Sequence, residues 1–267
     1  MRELVVASLM ADNAAFFSRD LAAYLSRRLH LSVTVLENVP WQERERQLYR
    51  GDAHLGVVCG LQYVYAVNRR DTPGVELVCA PVMRAERYER RPVYFSDVVV
   101  RSGTTGTSLS DLRGARFAFN EPTSHSGYNL PRSMLAARGH TSKFFGEVVE
   151  SGAHERSLQL ILDGTIDAAA LDTTVLEQEL RLQPDLSARI RVVETLGPSP
   201  IPPLVVSRAV APELRQQIRQ VLLAIDQDGH GQRLLERAHM TRFVAVKDAD
   251  YDPIRQMAAL AGLHASW

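Results

Sequence analysis

A nine-residue stretch concentrates groups that could do chemistry: Asn120-Glu121-Pro122-Thr123-Ser124-His125-Ser126-Gly127-Tyr128. An apolar run, Ala115 to Phe119, precedes it, and a helix-like run, Asn129 to Arg138, follows. The spacing predicts a strand handing over to a helix, with two hydroxyls and an imidazole at the handover. The first backbone N–H groups of a helix lack internal partners, and the helix dipole places partial positive charge there. Such a turn can hold an anion. Gly127 removes a Cβ from the first turn and lets a ligand approach the backbone. Taken alone, the stretch also reads as an ordinary N-cap, with Ser124 or Ser126 satisfying one orphan donor.

Other chemistry is sparse. Ser126, His154 and Asp172 could be assembled into a triad, but nothing in the spacing requires it, and no Gly-x-Ser-x-Gly elbow is present. Gly103-Thr104-Thr105-Gly106-Thr107 lacks the Gly-Lys-Ser/Thr ending of a phosphate-binding loop. No Cys/His spacing resembles a metal motif, so neither a metal nor a cofactor is expected. Cys59 and Cys79 each lie in an apolar run and read as buried free thiols rather than a disulfide. Asp172 ends an apolar run and is placed to cap the following helix through Thr174.

The elements that must position these residues follow from apolar periodicity. Leu4–Met10, Ser32–Val39, Ala53–Val58 and Val75–Val82 read as strands. Asn13–His30, Trp41–Arg50 and Gly60–Asn68 read as the helices between them. This alternation is the pattern of a parallel sheet covered by helices. Val93–Val100 crosses into a second series, with strands Ala115–Phe119, Phe144–Val149, Ile166–Leu171 and Ile190–Thr195. Its helices are Gly127–Arg138, His154–Leu162 and Thr174–Leu182. A Pro/Gly-dense return, Gly197 to Pro203, leads to a strand at Leu204–Ser207. A helical stretch at Leu214–Ala238, interrupted near Gly229–Gly231, and a last amphipathic helix, Asp252–Leu263, complete the chain. The expected fold class is α/β: two Rossmann-like lobes joined by two hinge crossings. Lobe one takes residues 1–97 and 203–267, and lobe two takes 98–202. Ligands of open α/β sheets sit at the carboxyl ends of strands. That rule puts the Thr123–Gly127 turn on the wall of a cleft between the lobes.

The 267 residues are 45% hydrophobic and 23% charged, which is an ordinary globular composition. The 31 basic and 31 acidic side chains cancel, so a nucleic-acid partner is not expected. No run approaches the apolar length of a membrane span. The N-terminus shows no extended apolar stretch and no cleavage site. The expectation is therefore a cytoplasmic chain, or a periplasmic or otherwise extracytoplasmic one whose export signal is removed.

Four pieces of sequence resemble the phosphonate, phosphite and phosphate binding proteins of ABC transporters. They are Tyr94-Phe95-Ser96-Asp97-Val98-Val99-Val100; Leu109 to Phe119, with its Ser110-Asp111-Leu112-Arg113-Gly114 core; Ser124-His125-Ser126-Gly127-Tyr128; and Ser151-Gly152-Ala153-His154 followed by Leu162 to Ala170. Order and spacing agree from about Leu4 to Ala238. The resemblance implies the type II periplasmic-binding-protein fold and a non-catalytic solute-binding role. It implies that Ser124, Ser126 and the backbone at Gly127 hold the anion's oxygens. It further implies that His154 contacts the anion, that Tyr94 reaches it from the hinge strand, and that Trp41 stands where members carry a tyrosine. His125 replaces the threonine of the family turn; if protonated, it would strengthen oxyanion binding and add pH dependence near neutrality. Cys59-Gly60-Leu61-Gln62-Tyr63 keeps only the glycine and tyrosine of the usual Gly-Pro-Leu/Ser-Tyr. The acidic residue of aminophosphonate binders falls near Thr173 or Thr174, with Asp172 adjacent.

The expected function is capture of a small oxyanion, phosphonate- or phosphate-like, for an ABC permease or a sensor kinase. The alternative is a cytoplasmic enzyme on the same fold, acting on a small carboxylated or phosphorylated metabolite.

Overall fold

The computed structural model describes residues 3–67, 74–140 and 143–263. The first series comprises β1 (Glu3–Ser8), α1 (Ala15–Leu29), β2 (Ser32–Val35), α2 (Trp41–Arg50), β3 (Leu55–Val57), α3 (Gly60–Ala66) and β4 (Val75–Met83). Asn68, the expected end of α3, lies outside the described residues. The second comprises β5 (Val93–Arg101), β6 (Arg116–Phe119), α4 (Leu130–Ala137), β7 (Glu147–Glu150), α5 (His154–Leu162), β8 (Ala168–Asp172), α6 (Thr173–Leu182), α7 (Leu186–Arg189) and β9 (Ile190–Pro200). The chain closes with β10 (Leu204–Ser207), α8 (Pro212–Leu223), α9 (Gly229–Arg237), β11 (Met240–Val244) and α10 (Asp252–Leu263).

Local chemistry sets several of these limits. Pro40 opens α2, where a missing N–H costs nothing, and Gly51 closes it at φ 89°, a left-handed position that suits glycine. Asp228 caps α9 by accepting from the backbone N–H groups of His230 (2.8 Å) and Gly231 (2.9 Å).

The chain divides into two units. The first takes the chain up to Val93 and returns for Pro200–Tyr251. The second takes Tyr94–Ser199 and the closing helix α10. The crossings therefore fall a few residues before the expected ones, and α10 groups with the second unit rather than with lobe one. The reason is packing: α10 lies against α4 and the turn before it, and Met257 joins that unit's apolar core.

Within the first unit the sheet order is β11-β4-β10-β3-β1-β2. β1 is parallel to β2 and β3. The expected parallel series is interrupted: β10 inserts between β3 and β4 and runs antiparallel to both. An apolar run such as Leu204–Ser207 announces a buried strand but not its neighbours.

Within the second unit the order is β7-β6-β8-β5-β9. β6 is parallel to β7 and β8, while β5 runs antiparallel to β8 and sets Ser96 opposite Asp172. Side chains alternate across this sheet. Val98, Phe117, Ala168 and Ala170 join one core with Leu130 and Phe144. Val99, Ala118, Ala169 and Leu171 join a second core with Leu158 and Ile161. Both faces are covered, so ligand chemistry in this unit is confined to strand ends.

Asp228 also accepts from Tyr24 Oη at 2.8 Å and from Arg28 at 2.9 Å. Asp228→Ala is expected to cost about 1–2 kcal/mol through the lost cap and the buried Tyr24 hydroxyl. A lower urea midpoint with an unchanged slope would register it.

Candidate functional site

The turn after β6 is a single π-helical turn, His125–Asn129, entered through Ser124 and continued by α4. Its wide register shows in the Asn129 N–H, which donates to Ser124 O, five residues back, at 3.0 Å. The sequence supplies a cause. Pro131 has no N–H to give to the carbonyl of Gly127, and its ring crowds that carbonyl, so a regular α-helical start is disfavoured. Ser124 Oγ accepts from Gly127 N at 3.1 Å, which is the capping role foreseen for it.

With Ser124, three more expected site residues meet here. Ser126 Oγ stands 3.2 Å from Nε2 of His154, the first residue of α5. Ser96 Oγ, on β5, donates to Ser126 O at 2.8 Å and anchors the turn to the sheet. Gly127 is fixed by close approach: a Cβ there would lie 2.0 Å from Asn120 Oδ1 and 3.0 Å from His154 Cε1. Burial lowers the His154 pKa to about 4, so its ring is neutral at physiological pH. Among the described residues, His154 Nδ1, Asn120 Oδ1 and Thr123 Oγ1 are buried without a hydrogen-bond partner. Such atoms are costly to leave unmet, and their clustering beside the turn is what a ligand could resolve.

The other expected residues take different positions. His125 is fully enclosed at 0% exposure. Its Nδ1 faces Asn129 Nδ2 at 3.0 Å and its Nε2 faces Ser199 Oγ at 3.0 Å. Burial lowers its pKa to about 3, so the protonated ring considered from the sequence is not the form this fold holds. Tyr94 is buried on β5, with its ring centre 6.3 Å from that of His125. Asp172 caps α6: its Oδ1 accepts from Thr174 N (2.8 Å) and Thr174 Oγ1 (2.7 Å). Burial raises its pKa to about 6. Trp41 begins α2 in the first unit and is half-buried there.

Cys59 and Cys79 are free thiols. Among the described residues no group of three or more His, Cys, Asp or Glu is arranged to hold a metal. No helix there is long and apolar enough to cross a membrane.

Sequence reasoning missed Asn120, Asn129 and Ser96. Asn120 was findable, because it follows β6 directly, where open sheets place ligand groups. Asn129 was findable as the residue four positions after His125, on the same helical face. Ser199 was noted only as a hydroxyl in the second crossing. Its contact with His125 spans 74 residues and left no local signal.

The description that matches this chain over residues 12–251 is the ABC-transporter phosphonate periplasmic substrate-binding protein family. The phosphonates-binding periplasmic protein of Escherichia coli (strain K12) is 24% identical over 172 residues, covering 62% of this chain and 51% of that protein. The chain thus aligns with about half the length of this curated relative. Among solved structures, the binding component of an ABC phosphonate transporter from Pseudomonas aeruginosa gives a TM-score of 0.84 at 18% identity, over 97% of this chain and 86% of that one. PhnD1 from Prochlorococcus marinus (MIT 9301), solved with methylphosphonate, gives 0.84 at 18% identity over 97% of each chain. An ancestral arginine-binding protein gives 0.64 at 17% identity over 89% of this chain and 98% of that one. These likenesses agree with the expected type II periplasmic-binding-protein fold.

Two outcomes follow from the geometry. Gly127→Ala is expected to destabilise the chain by about 1–3 kcal/mol, because Asn120 must be displaced to admit the methyl; thermal unfolding would read it. The second concerns pH. Unfolding frees His125 and His154 to titrate near their ordinary value of about 6.5. Their contribution to stability is therefore complete above that pH and is lost as the pH falls toward 4. His54, also lowered by burial, acts in the same sense. Asp172 opposes them: its raised folded pKa stabilises below about pH 4, and that contribution is lost as pH rises through 6. Near pH 5 the two site histidines outweigh the one aspartate by about one proton, a slope of about 1.4 kcal/mol per pH unit. Urea unfolding at pH 5 and pH 7 is expected to show the lower midpoint at pH 5.

Proposed function

We propose, because this chain belongs to the ABC-transporter phosphonate periplasmic substrate-binding protein family, that it captures a small oxyanion of the phosphonate or phosphate class. The family consists of transporter binding components rather than enzymes, which sets aside the alternative of a cytoplasmic metabolic enzyme. The ligand groups are the hydroxyls of Ser124 and Ser126, the backbone at Gly127 and the imidazole of His154, with Tyr94 on the neighbouring strand. Asp172 serves through α6, whose start it caps, and not as a salt-bridge partner for a ligand amine.

The observation that supports this reading best is the Ser126–His154 pair beside Gly127. Ser126 Oγ and His154 Nε2 are 3.2 Å apart, while His154 Nδ1 is buried and unmet among the described residues. An oxyanion supplies acceptors for the hydroxyls and for an imidazole N–H. The turn and the N-terminus of α5 add backbone N–H dipoles of the right sign. Neutral donors suffice, because a dry, preorganised set of hydroxyls and N–H groups stabilises an anion without a side-chain cation.

Two names carry the ligand class. The E. coli relative is a phosphonates-binding protein, and the Prochlorococcus structure holds methylphosphonate. By family, the partner is the permease of an ABC transporter and the place of action is the periplasm or its equivalent outside the cytoplasm.

Isothermal titration with methylphosphonate, inorganic phosphate, phosphite and sulfate tests the reading. Binding of at least one phosphorus oxyanion is expected. Ser126→Ala and His154→Ala are each expected to weaken that binding about tenfold or more, the size of one lost hydrogen bond to a charged group. Absence of heat with all four anions, or unchanged affinity in both variants, would overturn it.

A further inference from the structure

His125 does no work in the site as described, yet it lies between the two serines of the turn. Asn129 Nδ2 faces its Nδ1 at 3.0 Å. An amide nitrogen only donates, so Nδ1 is the accepting nitrogen and the ring's single proton lies on Nε2. That proton points at Ser199 Oγ, 3.0 Å away. The Ser199 hydroxyl then has its own proton to place, and Met257 Sδ lies 4.0 Å off. A thioether accepts weakly and never donates, so a chain ending there satisfies every member in one direction only. Turning the Asn129 amide over would reverse the sequence and leave the sulfur with nothing to accept. Asn129 and Ser199 are both nearly fully buried, at 3% and 1% exposure.

We infer that His125 is a positioning residue: a neutral imidazole, held as the Nε2–H tautomer, that ties the turn to β9 through Ser199 and to α10 through Met257. The inference rests on the oxyanion reading of the turn. With both ring nitrogens engaged inside the second unit, position 125 offers a ligand no side-chain donor. What it offers is rigidity, because the backbone between Ser124 and Ser126 cannot rotate without breaking the chain Asn129–His125–Ser199–Met257. The two hydroxyls are thereby fixed before any anion arrives, which is how preorganisation raises affinity. The charge state agrees with this role: burial lowers the pKa of the ring.

The test uses the full chain labelled with 15N. Long-range nitrogen–proton spectra of the histidines from pH 5 to 8 are expected to show His125 as a non-titrating Nε2–H tautomer. Asn129→Asp sets a carboxylate against Nδ1 and is expected to draw a proton there, changing the nitrogen shifts. Ser199→Ala removes the acceptor for Nε2–H. Both variants are expected to bind methylphosphonate about tenfold more weakly, and Ser199→Thr, which keeps the hydroxyl, is expected to recover most of the loss. A His125 that titrates between pH 5 and 8 in the wild-type chain overturns the proposal without any variant having to fold. So does unchanged methylphosphonate affinity in folded Asn129→Asp and Ser199→Ala. If the wild-type chain binds no methylphosphonate, phosphate or phosphite, the oxyanion reading fails on its own, and the spectra alone decide whether the relay exists.

Discussion

Burying a polar turn is the constraint on which the second unit depends. Ser124, His125, Ser126 and Asn129 are all nearly inaccessible, and each polar atom left unmet there would cost about 1–3 kcal/mol. Their partners come from separated parts of the chain. Gly127 N serves Ser124, Ser96 serves the Ser126 carbonyl, and Asn129 and Ser199 serve the two sides of His125. The sheet register makes this possible. Because β5 runs antiparallel to β8, Ser96 arrives opposite Asp172 at the strand ends where the turn sits. The same two positions thus supply a bond to the turn and the cap of α6.

Both histidines of this cluster are neutral by burial, while the Arg132 guanidinium lies over the Tyr128 ring at 4.7 Å. Two ion pairs of the unit join its chain segments. Arg138 pairs with Glu194, and Arg116 with Asp167 at 2.7 Å, joining chain segments at partly exposed positions. Exposed pairs of that kind contribute modestly to stability. Their use here is registry: Glu194 also accepts from Leu109 N at 2.7 Å, which fixes β9 against the loop before β6. On the oxyanion proposal, hydroxyls and N–H dipoles meet the ligand, in a sequence whose charges sum to zero.

The sequence was most readable where a local residue dictates a limit. Trp41–Arg50 lies between Pro40 and Gly51, and His154–Leu162 ends before Gly164; both helices were placed to the residue. The strand-to-helix handover at the turn was also readable, because an apolar run leads through capping hydroxyls into a helix-like run. Three things were not. The place of β10 depends on a strand order that four apolar residues cannot encode. β11 escaped because only Phe243 of Met240–Val244 is buried, leaving no alternation to detect. The direction of His125 escaped because imidazole polarity suggests exposure, while its enclosure depends on Ser199 and Met257, which are distant in sequence.

The closing helix explains why that enclosure holds. Without α10, Ser199 would lose the sulfur that takes its proton, and the face of α4 that α10 covers would be open. The turn is therefore completed by chain that arrives last, after the whole return through β10, α8, α9 and β11. Contacts so far apart in sequence must wait for long loops to close. The polar turn is thus held by tertiary packing rather than by the local propensity of Ser124 to Tyr128. That is why the most exact part of the site is the part a linear reading constrains least.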